Sequence, residues 1–279
     1  PGTEPVTVGI VAFNDFHGAI EPPNQSAFIP DGKGGMVGVP AGGAAWLASA
    51  IDAVRAKYPN HVTVSAGDMI SASQIASSLF LDEPTIGVMN RIKVDFNAVG
   101  NHEFDRGRDE LLRMQNGGCA QHTARMPCQL ETFGGAGFRF LAASTLTEDG
   151  RTLFPATGLR NFGQGRRKVT LGFVGLTLKG TPELVSPEGI KGLNFGDEAD
   201  AINAAVSELK ARGADVRMVY SAADALALAD KHPDREVVFL AIGFETTTPP
   251  TALVLREARE RAVPNFSVLC CHVLTPAAI

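Results

Sequence analysis

The chain has 279 residues, 44% hydrophobic and 20% charged, enough to bury the core of one large domain or two ordinary ones. Its formal net charge is −5 and no lysine/arginine run stands out, which argues against a nucleic-acid partner, and no apolar stretch approaches the ~20 residues that cross a bilayer. The opening Pro1-Gly2-Thr3-Glu4-Pro5 has neither the basic nor the apolar region of a signal peptide, which suits a mature exported protein or a trimmed chain.

Short apolar runs alternate with amphipathic helical segments. Thr7–Phe13, Val62–Ala66, Phe96–Val99, Arg139–Ala143 and Val169–Gly175 read as strands, mostly apolar on both faces as covered sheets require. Between the first two, Leu47, Ile51, Val54 and Tyr58 repeat at helical spacing, and near Asp197–Arg212 a second helix carries Ile202, Val206 and Leu209 on one stripe. The glycine-rich, polar segment from Asn116 to Phe138 reads as a long surface excursion. From Ala214 a βαβαβ pattern follows: strand Val216–Tyr220, helix about Ala222–Lys231, strand Val237–Ile242, helix about Pro249–Arg261 and strand Phe266–Cys271. Connections of this length make the strands parallel.

The four cysteines fall in two places. Cys119 and Cys128 bracket a short loop bounded by Gly117, Gly118 and Pro127, a spacing that a loop-closing disulfide spans; such a bond would imply an oxidising compartment, although two cysteines decide nothing alone. Adjacent Cys270 and Cys271, at the end of an apolar run, read as small core residues.

Three strand ends carry polar residues of one chemical kind. They are Asn14-Asp15-Phe16-His17-Gly18, Ser65-Ala66-Gly67-Asp68 and Gly100-Asn101-His102-Glu103-Phe104-Asp105. In an open α/β sheet the carboxyl ends of successive strands converge on one crevice. Asp68 there can bridge two cations, and Asp15 with His17 can chelate one; two metals ~3.5–4 Å apart polarise a phosphate and activate water. Each piece alone has a duller account, since Gly-Asp makes turns and Asn-His caps helices. The three together, each directly after an apolar strand, point to a metal site.

With Asn-Asp-Phe-His-Gly at 14–18, Ala-Gly-Gly-Ala-Ala-Trp-Leu-Ala at 41–48, Ser-Ala-Gly-Asp at 65–68, Asp-Glu-Pro-Thr-Ile at 82–86 and Asp-Phe-Asn-Ala-Val-Gly-Asn-His-Glu-Phe-Asp at 95–105, residues 1 to about 212 resemble the calcineurin-like metallophosphoesterases. The resemblance is to their 5′-nucleotidase and cyclic-nucleotide phosphodiesterase branch. It implies that Asp15, His17 and Asp68 hold one divalent metal (Zn, Mn, Mg or Ca), and that Asp68 and Asn101 begin a second site. His102 would donate a hydrogen bond or proton to the phosphate, and Asp105 would orient its ring. The Cys119–Cys128 loop resembles an insertion in exported bacterial members, and the implied partner is a nucleotide or other small phosphate ester. Export to the periplasm or outside the cell follows from the same resemblance.

The family's later metal ligands are histidines at its next two strand ends. Here those ends read Arg217-Met218-Val219-Tyr220-Ser221 and Ala241-Ile242-Gly243-Phe244-Glu245-Thr246, with no histidine, and His232 sits in a helix-terminating turn. Residues about 213–279, with Gly-Ala-Asp-Val-Arg-Met-Val-Tyr-Ser at 213–221, Ala-Ile-Gly-Phe-Glu-Thr-Thr-Thr-Pro-Pro at 241–250 and Asn-Phe-Ser-Val-Leu-Cys-Cys-His-Val at 265–273, resemble an internal part of the HypD family. Members of that family, cytoplasmic scaffolds of hydrogenase maturation, assemble an iron–cyanide–carbonyl group. Its Gly-Pro-x-Cys-Pro-x-Cys cluster is missing here, and Thr248 before Pro249 and Pro250 reads as a helix N-cap.

The expectation is therefore a chimera. An incomplete αββα phosphoesterase sandwich over 1–212 precedes a parallel βαβαβ segment over 213–279. Three functions follow from it: a nucleotide-type phosphoesterase with one metal site intact and the second deficient, a hydrogenase-maturation relative, or a non-catalytic fusion that binds a divalent metal. No membrane association is expected.

Overall fold

The computed structural model describes residues 6–23, 26–163, 168–213, 221–244 and 248–273, with the backbone alone at 240–244 and 269–273. The expected strand Val216–Tyr220, and Glu245 and Thr246, lie outside the described residues. Two compact units divide at Gly213 and Ala214.

The larger unit, Val6–Gly213, begins with β1 (Val8–Phe13), the hairpin β2 (Ala27–Pro30) and β3 (Met36–Val39), α1 (Ala44–Arg55), and β4 (Asn60–Ser65). Next come α2 (Ile75–Ser78), α3 (Glu83–Ile92), β5 (Phe96–Ala98), a 3₁₀ turn at His102–Phe104, and α4 (Arg108–Asn116). β6 (Arg139–Leu141), β7 (Thr145–Thr147), β8 (Thr157–Phe162), β9 (Val169–Val174), β10 (Leu193–Phe195) and α5 (Glu198–Ala211) complete it.

β1, β4, β5 and β6 form a four-stranded parallel sheet in that order. Its register aligns Phe13 with Ser65, Ser65 with Asn97, and Asn97 with Phe140. Period-two alternation then sorts the side chains. Ile10, Val62, Val64, Phe96 and Leu141 point to one face, where they meet Phe162, Leu171 and Phe173 of the β8–β9 hairpin. Val11, Phe13 and Phe140 point to the other, among Ile51, Ile86, Met89 and Leu111 from the helices. Both faces are covered, which is why these strands read as continuous apolar runs.

β9 departs from the reading of Val169–Gly175 as another covered strand. It pairs antiparallel with β8 in a separate two-stranded ladder, and Val169 and Thr170 are exposed. Only its inward residues contribute to the core, so an apolar run there reflects a half-covered ribbon.

Residues 117–138 contain no helix or strand, yet they are tied down. Arg113, 2% exposed at its side chain, pairs with Glu110 at 2.6 Å and Glu83 at 2.7 Å, and donates to the Gly118 carbonyl at 3.0 Å. Its guanidinium also lies 5.0 Å from the Phe133 ring centroid. Cys119 and Cys128 are disulfide-bonded, their Cα atoms 5.6 Å apart, and Cys128 N–H donates to Glu83.

The smaller unit holds α6 (Ala222–Lys231), β11 (Val237–Phe244), α7 (Thr248–Glu260) and β12 (Phe266–Val273). β11 and β12 pair in parallel, and Leu226, Ala229, Ala258 and Phe266 form its own core. No helix among the described residues is long and apolar enough to cross a membrane.

A candidate metal centre at the carboxyl end of the sheet

The register that aligns Phe13, Ser65 and Asn97 also brings the three following loops together. Asp15 N–H donates to Gly67 O at 3.1 Å and His17 N–H to Asp68 O at 3.0 Å. Two glycines permit the approach. A β-carbon on Gly67 would stand 2.8 Å from Gly100 N, and one on Gly100 would stand 2.7 Å from Asp68 N. Any side chain at either position would push the loops apart.

The backbone at the site is unusual. Asp15 (φ 51°), His17 (φ 46°) and Asp68 (φ 51°) all occupy the left-handed region. Each such residue costs about 1–2 kcal/mol for a side-chain-bearing amino acid. Strain of this kind persists where the surroundings over-determine it, and it clusters at functional sites.

One ligand atom each from His17, Asp68 and His102 lies within 4.8 Å of the others. The His17 and His102 rings meet edge to face with centroids 4.9 Å apart. Asp15 Oδ1 is 3.7 Å from His17 Nε2, and the Asn14 amide holds its other oxygen. Asn101 starts the 3₁₀ turn, but its side chain makes no capping bond. His102 N–H donates to Asp68 Oδ1 at 2.9 Å.

Both imidazoles have their Nδ1 fixed. His17 Nδ1 is 3.0 Å from the Ser71 carbonyl oxygen, and His102 Nδ1 is 2.9 Å from Asp105 Oδ2. A carbonyl or carboxylate only accepts, so Nδ1 carries the proton in both rings and Nε2 is left for a ligand. Burial works against a charged His102, but the Asp105 hydrogen bond, its charge and those of Asp68 and Glu103 together raise its pKa.

Sequence reading missed Glu103. It is 2% exposed and lies behind Asp68, accepting from the N–H groups of Asp68 (2.9 Å), Met69 (2.8 Å) and Gly100 (2.8 Å). Burial and then the Asp68 charge push its carboxyl up to about 7. Its partners are backbone groups on two loops and the Asn97 amide at 3.3 Å, so nothing local in the sequence marks its task.

Carboxylates and imidazoles thus crowd one end of the sheet, while Arg106 is committed to Asp82. The donor set of imidazole nitrogen and carboxylate oxygen, with outer partners holding the far side of each ring, fits a divalent cation such as Zn²⁺ or Mn²⁺. It does not single out which metal.

Comparisons with known proteins divide along the chain. Residues 180–279 match HypD, the "Hydrogenase formation hypA family". An uncharacterized protein in the pqq-V 5′ region of Acinetobacter calcoaceticus is 53% identical over 162 residues, 56% of this chain and 79% of that one. Endonuclease YhcR of Bacillus subtilis is 37% identical over 211 residues, 75% of this chain and 16% of that one. Hydrogenase maturation factor HypD of Cupriavidus necator is 80% identical over 70 residues, 25% of this chain and 18% of that one. Among solved structures, the 5′-nucleotidase precursor of Thermus thermophilus superposes with a TM-score of 0.56 at 23% identity, over 83% of this chain and 40% of that one. The NAD nucleotidase of Haemophilus influenzae gives 0.55 at 20%, over 83% and 37%. This chain therefore spans less than half of the nucleotidases and under a fifth of the endonuclease and the maturation factor.

Proposed function

We propose a metal-dependent phosphoesterase with a reduced site, a reading supported by the fold likeness to the nucleotidases and by the resemblance of the later residues to a hydrogenase maturation factor. Its substrates are small phosphate esters of the nucleotide type. The observation that carries this reading is the convergence of His17, Asp68 and His102 within 4.8 Å at the ends of adjacent strands.

Asp15, His17 and Asp68 would hold a first divalent cation, and Asp68 with Asn101 would begin a second site. A bound cation supplies Lewis-acid polarisation of the phosphate and lowers the pKa of water beside it. His102, its Nδ1–H held by Asp105, would donate a hydrogen bond or proton to a phosphate oxygen from Nε2 in its protonated form, which the neighbouring carboxylates favour. Asp68 fixes the start of that segment by accepting the His102 N–H. The segments at 217–221 and 241–246, where the resembled family carries its later ligands, have no histidine in sequence, and the reading of a second position short of donors rests on that shortfall.

The test is calorimetric metal titration beside hydrolysis of an aryl phosphate with added Mn²⁺ or Zn²⁺. One metal per chain and slow turnover that His102→Ala abolishes support the proposal. Two tightly bound metals with fast turnover would show a rebuilt site, and no metal binding would leave the chain a non-catalytic fusion. The 80% identity to the maturation factor favours a second reading, hydrogenase maturation, for the smaller unit alone.

A further inference from the structure

Asp82 precedes α3, where an aspartate ordinarily accepts from the first N–H groups of its own helix. It forms no such bond. Its φ is 63°, its side chain is fully buried, and its carboxylate faces another way. Oδ2 accepts from Ser71 N–H at 3.0 Å and from the Arg106 guanidinium, while Oδ1 accepts from the Ser77 hydroxyl at 2.7 Å.

Those partners lead back to the metal centre from two sides. The peptide whose carbonyl accepts His17 Nδ1–H belongs to Ser71, the residue whose N–H Asp82 holds. Arg106 directly follows Asp105, which holds His102 Nδ1–H. One buried carboxylate is thereby joined to both imidazoles by short chains of hydrogen bonds and backbone. Ser71 (φ 65°), Ala72 (φ 49°) and Leu81 (φ 56°) share the left-handed conformation of Asp82. Strained residues so close together need outside contacts to hold them, and the Asp82 carboxylate supplies several.

We propose that Asp82 is a positioning residue: through Ser71 it sets the tautomer and direction of the His17 ring, and through Arg106 it fixes the distance between His17 and His102. The proposal rests on the metal-site reading above for its consequence, but not for its geometry. Partners that orient ligating histidines are worth ~10–100-fold in metal affinity when removed.

Asp82→Asn keeps the shape and removes the charge that binds Arg106. In the metal-free protein, ¹⁵N spectra of the His17 ring should change from a single Nδ1–H tautomer to a mixture, and Zn²⁺ affinity by calorimetry should fall ~10–100-fold. Ser77→Ala, which removes a hydroxyl bound to the other Asp82 oxygen and to Thr85 but to neither Ser71 nor Arg106, should lower the melting temperature and move neither readout. An unchanged His17 spectrum and unchanged affinity in Asp82→Asn would overturn the proposal, as would equal changes in Ser77→Ala. Should Asp82→Asn fail to fold, Arg106→Gln tests the second link alone: Zn²⁺ affinity should fall while the His17 spectrum, set through Ser71, stays that of one tautomer, and unchanged affinity would overturn the proposal. A wild-type protein that binds no Zn²⁺ would sink the metal reading, while the tautomer measurement would still decide the role of Asp82.

Discussion

The two units start their helices in opposite ways. In the smaller unit the polar side chains close the backbone. The Ser221 hydroxyl accepts from Asp224 N–H to cap α6, and the buried Asn265 amide donates to the carbonyls of Ala229, His232 and Arg235 around its far end. In the larger unit the corresponding side chains are withheld from capping wherever they face the candidate site. Asn101 and Asp82 both stand at N-cap positions and cap nothing. Asp197, at the start of α5, does cap its helix, accepting from Ala199 N–H and Asp200 N–H. Withheld caps and left-handed backbone gather around the candidate site, where side chains are turned from their own helices to other partners.

Exchanging donors at the two kinds of terminus should break this contrast. The largest effect is expected from Asp68→Asn, which keeps the acceptor for His102 N–H but loses the charge. Wild-type protein with metal at 100 times its dissociation constant should gain about 2.7 kcal/mol of stability. The variant should gain none, while its metal-free melting temperature stays at or above wild type, because the carboxylate next to buried Glu103 is gone. Thermal melts with and without Zn²⁺ decide the matter; a metal-induced rise that survives would remove Asp68 from the site.

Gly100→Ala tests the close approach of the loops. The new β-carbon meets Asp68 N at 2.7 Å, a backbone clash that no rotamer relieves. The expected loss is at the upper end of the ~1–3 kcal/mol of overpacked sites, read by urea unfolding, together with weakened metal binding. A variant as stable as wild type would mean that the loops have room to part.

Much of this arrangement was legible from residues alone. The strands of the parallel sheet stood out because both faces are covered, and of the residues expected at their ends the structure brings His17, Asp68 and His102 within 4.8 Å of one another. What was not legible depends on partners distant in sequence. Glu103 reads as a solvated glutamate in a short turn until the N–H groups of Met69 and Gly100 are found around it. Asp82 stands in the sequence only as the first residue of the Asp-Glu-Pro-Thr-Ile motif, and its partners Ser71 and Arg106 lie far from it along the chain. The left-handed φ of His17 has no signal, since glycine is the residue that advertises such positions. The β8–β9 hairpin escaped because its two strands, one half-exposed, carry no tight-turn signature between them.

Acid sharpens the comparison further, because the brace around Asp82 is ionic and the caps of the smaller unit are not. Burial would raise the Asp82 pKa, but the Arg106 charge and its hydrogen bond, with the Ser77 hydroxyl, hold it below the usual carboxylate range. A depressed folded value means stabilisation present above the unfolded pKa of ~3.9 and lost as pH falls through the lower folded one. Wild-type stability should therefore drop more steeply below about pH 4 than that of Asp82→Asn. Parallel slopes in acid unfolding would show that the Arg106 pair contributes nothing to the pH dependence.

The smallest effect belongs to Ser221→Ala, and it is the direct counterpart of Asp68→Asn. Ser221 has the extended backbone of an N-cap, with ψ at 163°, and its hydroxyl accepts from Asp224 N–H at 3.2 Å. Alanine leaves that N–H to water, a loss of typically ~1 kcal/mol at such positions. The Asp224 carboxylate, which also receives the Ser221 hydroxyl at 2.9 Å, stays in the first turn and keeps its favourable interaction with the helix dipole. Part of the loss is offset in this way, so the change should fall in the lower half of the 0.5–2 kcal/mol range, read by urea unfolding. Zn²⁺ affinity should not move at all. A cap substitution in the smaller unit that weakened metal binding would mean that the two units do not divide their labour as their helix starts imply.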